Sequence, residues 1–236
     1  MKKRLSSLVD RLLSGLGLDL DMSVDLRESF FTEITPTLYL GARPNPERVE
    51  ELRRAGVTHV VSCLMEDDRP EMAFLRQDFD HLFLGVQDGM HQDIRGALSS
   101  FFDYAGVVTS GNPTAKLFVH CEVGVSRSAT LVTAWLMKTE GISFFDAVSR
   151  VRSKRFQVLP NIGFASHLQR LEHELEPASA TTTPSSLAQY LCGVCNAPVE
   201  IDVLQSALER HGYDAPAALA AIFGGEIPRV VQGVRV

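Results

Sequence analysis

Lys116-Leu117-Phe118-Val119-His120-Cys121-Glu122-Val123-Gly124-Val125-Ser126-Arg127-Ser128 is the stretch on which the reading of this chain turns. Its opening run, aromatic and β-branched, predicts a buried strand. The run that follows it, Ala129 to Lys138, is apolar and long enough for a largely buried helix. Cys121 therefore falls at a strand-to-helix turn, with Arg127 at the mouth of the helix. A turn over 122–127 can curl so that successive backbone N–H groups point inward, a nest for an anion at a helix N-terminus. The same positive potential favours the thiolate form of a thiol held there. Gly124 supplies backbone freedom, and the planar fork of Arg127 suits two oxygens of a tetrahedral oxyanion. Ser128 is placed to donate a hydrogen bond to the sulfur, easing its departure. A strand-end cysteine or a glycine-containing turn would each fit a purely structural role. Together, at this spacing, they point to nucleophilic phosphoryl transfer through a cysteinyl phosphate.

The pattern His-Cys, five residues, Arg-Ser resembles the signature loop of the cysteine-dependent protein phosphatases. The Ser126-Arg127-Ser128-Ala129-Thr130 ending is most similar to the dual-specificity branch. The resemblance implies Cys121 as nucleophile, and Arg127 with the amides of Glu122, Val123, Gly124, Val125 and Ser126 as the phosphoryl cradle. It implies no metal and no cofactor. Glu122 departs from the pattern, being acidic beside the nucleophile. Pointing inward it would repel phosphate, so an outward posture is expected.

The chain has 236 residues, 45% of them hydrophobic, enough for one α/β domain and an appendage. A net charge of −6 gives no electrostatic case for nucleic acid. Four cysteines, at 63, 121, 192 and 195, are too few and too uneven for a disulfide scaffold. A thiolate enzyme suits a reducing compartment, so a cytoplasmic or nuclear location is expected. No apolar run approaches the roughly 20 residues that span a bilayer, so no stable membrane insertion is expected.

Residues 1–29 carry Leu5, Leu8, Val9, Leu12, Leu13 and Leu16 at helical spacing, an amphipathic segment that either packs on its own domain or docks elsewhere. A catalytic unit is expected over 30–176. Ile34 to Gly41 alternates like one strand, 46–55 reads as a short helix, 57–63 as a second strand and 65–71 as a charged loop. Phe79 to Val86 is a third strand, and Ile94, Leu98, Phe101, Phe102 and Ala105 line a helix. Strands alternating with helices predict a central, mostly parallel sheet flanked by helices, with the Cys121 loop at the carboxyl end of a strand.

The leaving oxygen needs a proton, and Asp88, in the loop after the third strand, can supply it and then activate water. Asp88 lies 33 residues before Cys121, similar to the separation in the dual-specificity family. Asp93 is the rival, but it directly precedes the helix and suits a cap. His91 between them reads as an exposed loop residue, and His120 as a scaffold that orients Cys121 without acting as a base. Ser143 reads as the cap of a further helix. The cluster Arg152-Ser153-Lys154-Arg155 fits either a site for phosphorylated substrates or a solvated helix end. With the Pro160-Asn161-Ile162-Gly163-Phe164 turn it resembles the dual-specificity segment that buttresses the catalytic loop, which gives Asn161 a supporting role.

The resemblance runs over 34–175 and lacks the long insertions that deepen tyrosine-specific pockets. It implies a shallow cleft taking phosphoserine, phosphothreonine and phosphotyrosine on protein. Phosphoinositide-directed relatives place lysines in the loop, and Glu122, Val123 and Val125 supply none. Cys63 ends a strand expected beside Cys121. It is either an inert buried residue or, as in some related phosphatases, a redox partner of the nucleophile. Residues 177–186 are a linker by composition. Residues 187–236 form a small helical extension, either packed back on the catalytic unit or used to bind a protein partner. Its Cys192 and Cys195, with His211, fall one ligand short of a zinc site.

Overall fold

The computed structural model describes residues 30–175, 186–225 and 227. The amphipathic segment expected over 1–29 lies outside them, as does the linker expected over 177–186 apart from Ser186. Five strands, β1 (Phe31–Thr35), β2 (Leu38–Gly41), β3 (His59–Leu64), β4 (Asp80–Gly85) and β5 (Leu117–His120), form one sheet in the order β1-β2-β5-β3-β4. Every pairing from β2 to β4 is parallel, and only the edge strand β1 is antiparallel. The single strand expected over 34–41 is instead the end of β1, a turn and β2 of a hairpin. Pro36 sits in its turn, where its fixed φ and missing N–H remove it from any ladder.

Alternation along the strands splits the interior in two. Leu40, Val61, Cys63, Val119 and Cys121 face one core, beneath α2 (Arg95–Gly111), α3 (Arg127–Glu140), α4 (Phe144–Lys154) and α5 (Ile162–Leu175). Tyr39, Val60, Leu64, Phe83 and Phe118 face a smaller one, closed by Leu52 of α1 (Val49–Arg54) and by Met72 and Leu75. Those last two lie in 3-10 turns over Pro70–Gln77. A second 3-10 turn at Glu66–Asp68 precedes them, so the charged stretch after β3 is ordered and half of it is a lid on the core. Ser143 caps α4 as expected, its Oγ accepting from the Asp146 N–H at 3.0 Å.

The extension comprises α6 (Ser186–Gln189) running into a π-turn at Tyr190–Val194, then α7 (Ile201–Arg210) and α8 (Ala215–Phe223). Leu187, Tyr190, Leu191, Leu204, Leu208 and Leu219 are fully buried in the same core as α3 to α5. Val203 of α7 faces solvent. Cys192 donates to the Val199 carbonyl at 3.3 Å, and burial pushes the Cys195 thiol up to about 11. Among the described residues no cluster of three or more His, Cys, Asp or Glu side chains is placed to hold a metal. Among them, too, no helix is long and apolar enough to cross a membrane.

Candidate active site

Cys121 follows the last residue of β5, and α3 begins at Arg127, so the loop between them stands at the carboxyl end of a central parallel strand. Four loop carbonyls are taken by three separate parts of the scaffold. Glu122 O accepts from Arg43 N at 3.0 Å and Val125 O from Leu159 N at 2.9 Å. Val123 O and Gly124 O accept from the Arg155 guanidinium at 3.0 and 3.1 Å. A trans peptide carries its N–H opposite its C=O, so carbonyls pulled outward turn the N–H groups inward, toward the space above the sulfur. Gly124 has a φ of +71°, and a Cβ there would lie 2.5 Å from the Gly41 carbonyl, so only glycine lets the loop seat against β2.

Cys121 is 1% exposed, and Ser128 donates to its Sγ at 3.1 Å. Arg127 is buried, with Nη1 donating to the Val86 carbonyl at 3.3 Å. Its Nε has no hydrogen-bond partner among the described residues and lies 3.7 Å from Asp88 Oδ2. An orphaned donor on a buried guanidinium is costly unless an acceptor enters.

Asp88 is drawn in from the loop after β4. Its Oδ1 accepts from Ser126 Oγ and from Asn161 Nδ2, each at 2.8 Å. Oδ2 is left facing the Arg127 guanidinium. Asn161 also accepts the Phe164 N–H at 3.0 Å, capping α5 while it holds the aspartate. Gly163, in the first turn of α5, lies so close to this loop that a Cβ would fall 1.9 Å from the Met90 carbonyl. The rival Asp93 accepts from the Arg95 N–H at 2.9 Å and grips its guanidinium, a local cap one residue later than expected. His91 is exposed, as expected.

Two expectations for the loop's neighbours are settled by geometry. The Glu122 side chain points away from the sulfur and pairs with Arg43 at 3.2 Å, and Arg43 also bonds Asp68 and Glu71. The Glu122 carboxylate is therefore engaged outside the loop. Arg155 is 6% exposed, so that member of the basic cluster is neither a solvated helix end nor a substrate contact but the clamp on the loop. Burial lowers its pKa, with Cys121 acting the other way.

His120 places Nδ1 3.3 Å from the Cys121 carbonyl and Nε2 2.7 Å from Ser62 Oγ, which in turn lies 2.8 Å from His81 Nε2. A carbonyl only accepts, so His120 carries its proton on Nδ1 and accepts the Ser62 hydroxyl at Nε2. Ser62 then accepts from the Nε2–H of His81. Burial holds His120 down at about 3 and, with nearby arginines, His81 at about 4. Below the ordinary histidine range the unfolded chain takes up protons that the folded chain refuses. This contribution is therefore complete above about pH 6.5 and falls with acidification, by up to about 1.4 kcal/mol per pH unit for a fully buried histidine. Urea midpoints should fall between pH 7 and 5, and His81→Gln should flatten part of the fall. A level profile would contradict the neutral relay. Composition gave no sign of Ser62 or His81, since the β3–β5 register sets Ser62 opposite His120 and the separate β3–β4 register brings His81 within reach of Ser62.

Cys63 lies one residue beyond that pair on β3, buried and free, and burial pushes its thiol well up, with Cys121 adding to the effect.

The model of the dual specificity phosphatase catalytic domain matches residues 38–174. Protein-tyrosine-phosphatase MKP1 of Arabidopsis thaliana is 35% identical over 153 residues, which is 64% of this chain and 19% of that protein. Serine/threonine/tyrosine-interacting protein B of Xenopus laevis is 35% identical over 147 residues, 59% of this chain and 63% of the relative. The chain thus spans less than two thirds of the length of these curated relatives. The crystal structure of human DUSP28 superimposes with a TM-score of 0.54 at 29% identity, covering 63% of this chain and 96% of that one. With the strand-loop-helix around Cys121 inside the matched span, the chain belongs to the dual specificity phosphatase family.

Proposed function

We propose that this chain is a protein phosphatase that hydrolyses phosphotyrosine and phosphoserine/phosphothreonine through a cysteinyl-phosphate intermediate, with no metal or cofactor, in the cytoplasm or nucleus. The observation that carries this reading is the buried Arg127 Nε, without a hydrogen-bond partner among the described residues, at the start of the helix that follows a buried thiol and a loop whose carbonyls are drawn outward. Such a cradle fits a dianionic phosphoryl group and leaves the sulfur in line behind it.

The thiolate of Cys121 attacks phosphorus and the P–O bond breaks. The leaving oxygen takes the proton from Asp88 Oδ2. Water then attacks the cysteinyl phosphate, Asp88 accepts the water's proton, and the S–P bond breaks as Ser128 donates to the departing sulfur. His120 takes no part in these transfers, since both its ring nitrogens are committed. The absence of lysine from the loop favours protein over phosphoinositide substrates.

Wild-type turnover of a small aryl phosphate with and without chelator tests the chemistry, and a panel of phosphopeptides and phosphoinositide vesicles tests the substrate. Chelator-resistant turnover with peptides preferred supports the reading. Phosphopeptide binding without turnover would replace it with an adaptor, and preference for the vesicles with a lipid phosphatase.

Cys63 is proposed as a redox partner of the nucleophile. Peroxide would convert Cys121 to a sulfenic acid, and the Cys63 sulfur would then displace water to form a disulfide. Mass spectrometry should find the 63–121 crosslink after peroxide. If Cys63→Ser recovers activity on reduction as wild type does and no crosslink forms in wild type, Cys63 is only core.

A further inference from the structure

We infer that the extension, residues 186–225, positions the general acid of the neighbouring catalytic unit, and that Tyr190 is the residue through which it acts. The inference rests on the role of Asp88 proposed above. Residues 186–225 lie outside the matched family segment, 38–174. What places Asp88 is Asn161, whose Nδ2 donates to Oδ1 at 2.8 Å. What places Asn161 is the peptide group that joins it to Pro160. Its two polar ends are gripped from opposite sides. The Asn161 N–H donates to Ser126 Oγ at 3.2 Å, and the Pro160 carbonyl accepts the Tyr190 hydroxyl at 2.6 Å. A planar peptide held at both ends cannot rotate, so the direction in which the Asn161 side chain leaves the backbone is fixed jointly by the catalytic loop and the extension.

Tyr190 is itself immobilised. It is fully buried, its ring centroid 5.0 Å from that of Phe144, and its hydroxyl is also hydrogen-bonded with the Cys195 thiol. The segment carrying it is tied to α5 on either side. Leu187 N donates to Gln169 Oε1 at 2.7 Å, and Ala215 N to Ser166 Oγ at 3.0 Å. The same helix presses Gly163 on Met90, two residues from Asp88, so displacement of the Pro160–Asn161 peptide moves both supports of the acid loop together. Tyr190 touches no reacting atom, which makes it a positioning residue.

A misplaced acid hurts most where the leaving oxygen most needs its proton. The test compares full-length wild type, Tyr190→Phe, Asp88→Asn and the double variant on p-nitrophenyl phosphate, a good leaving group, and phenyl phosphate, a poor one. Tyr190→Phe should lower kcat on phenyl phosphate roughly tenfold and on p-nitrophenyl phosphate less than about twofold, with KM little changed. In the Asp88→Asn background it should have no further effect on either. Leu208→Ala, a packing defect elsewhere in the extension, should leave the ratio of the two substrates at the wild-type value. Should Tyr190→Phe fail to fold, Ser166→Ala, which cuts the Ala215 tie, takes its place with the same selectivity expected. Equal losses on both substrates, losses that persist without Asp88, or no loss at all would overturn the inference. Asp88→Asn without dependence on the leaving group would instead show that Asp88 is not the acid, and the inference would fall with its premise.

Discussion

Cys121→Ser is expected to lower kcat/KM for an aryl phosphate by about 10⁴-fold or more while phosphate still binds. A hydroxyl is a far weaker nucleophile than a thiolate unless a base removes its proton, and no base is placed to do so. His120, next in sequence, points to the opposite side of the sheet, where it stacks on Phe118 and accepts from Ser62. Asp88 has one oxygen saturated by Ser126 and Asn161, and the other faces the Arg127 guanidinium. The cradle itself, built from backbone N–H groups and Arg127, does not depend on the sulfur. Single-turnover quench with labelled substrate should therefore trap a phosphoenzyme in wild type and none in the variant, while inorganic phosphate or tungstate still raises the variant's melting temperature. Turnover above about one per cent of wild type would show that Cys121 is not the nucleophile.

Asp88→Asn should cost roughly 10²–10³ in kcat on phenyl phosphate and much less on an ester whose leaving group departs unprotonated. Asparagine keeps an oxygen for Ser126 and Asn161. It places an amide where Oδ2 faced Arg127, donor against donor, so it loses the proton and part of the hold on the loop. A variant that keeps the wild-type sensitivity to the leaving group would move the role to Asp93. The bidentate grip of Arg95, and the hydrogen bond from its backbone, hold the Asp93 carboxyl well below the usual carboxylate range, a poor state for an acid.

Local chemistry made the centre of this site legible. A strand ending at His120 and a helix opening at Arg127 are written in adjacent residues, and Asp88 follows its strand within a few positions. Residues that act across the fold were not legible in the same way. Arg155 sits in a run of basic residues indistinguishable from a solvated helix end until α4 carries it back under the loop, 31 residues from its Gly124 partner. For Tyr190, nothing local in the sequence marks which carbonyl its hydroxyl will meet. The hairpin of β1 and β2 was misread because alternation runs on through Pro36 and hides the reversal. The charged stretch 65–71, read as a loop, is instead wound into 3-10 turns at Glu66–Asp68 and the start of Pro70–Gln77, which its charges do not announce.

The carbonyls of the catalytic loop are held from β2's far end, from the close of α4 and from the turn before α5, segments distant in the chain. The ring of N–H groups therefore exists only once those segments have met, and an unfolded chain has nothing comparable to offer an anion. By mass action, a tetrahedral oxyanion present at a hundred times its dissociation constant adds about 2.7 kcal/mol to the free energy of unfolding. A stability measured for this protein in phosphate buffer is accordingly the sum of a fold and a bound ion, and only the difference between buffers separates the two.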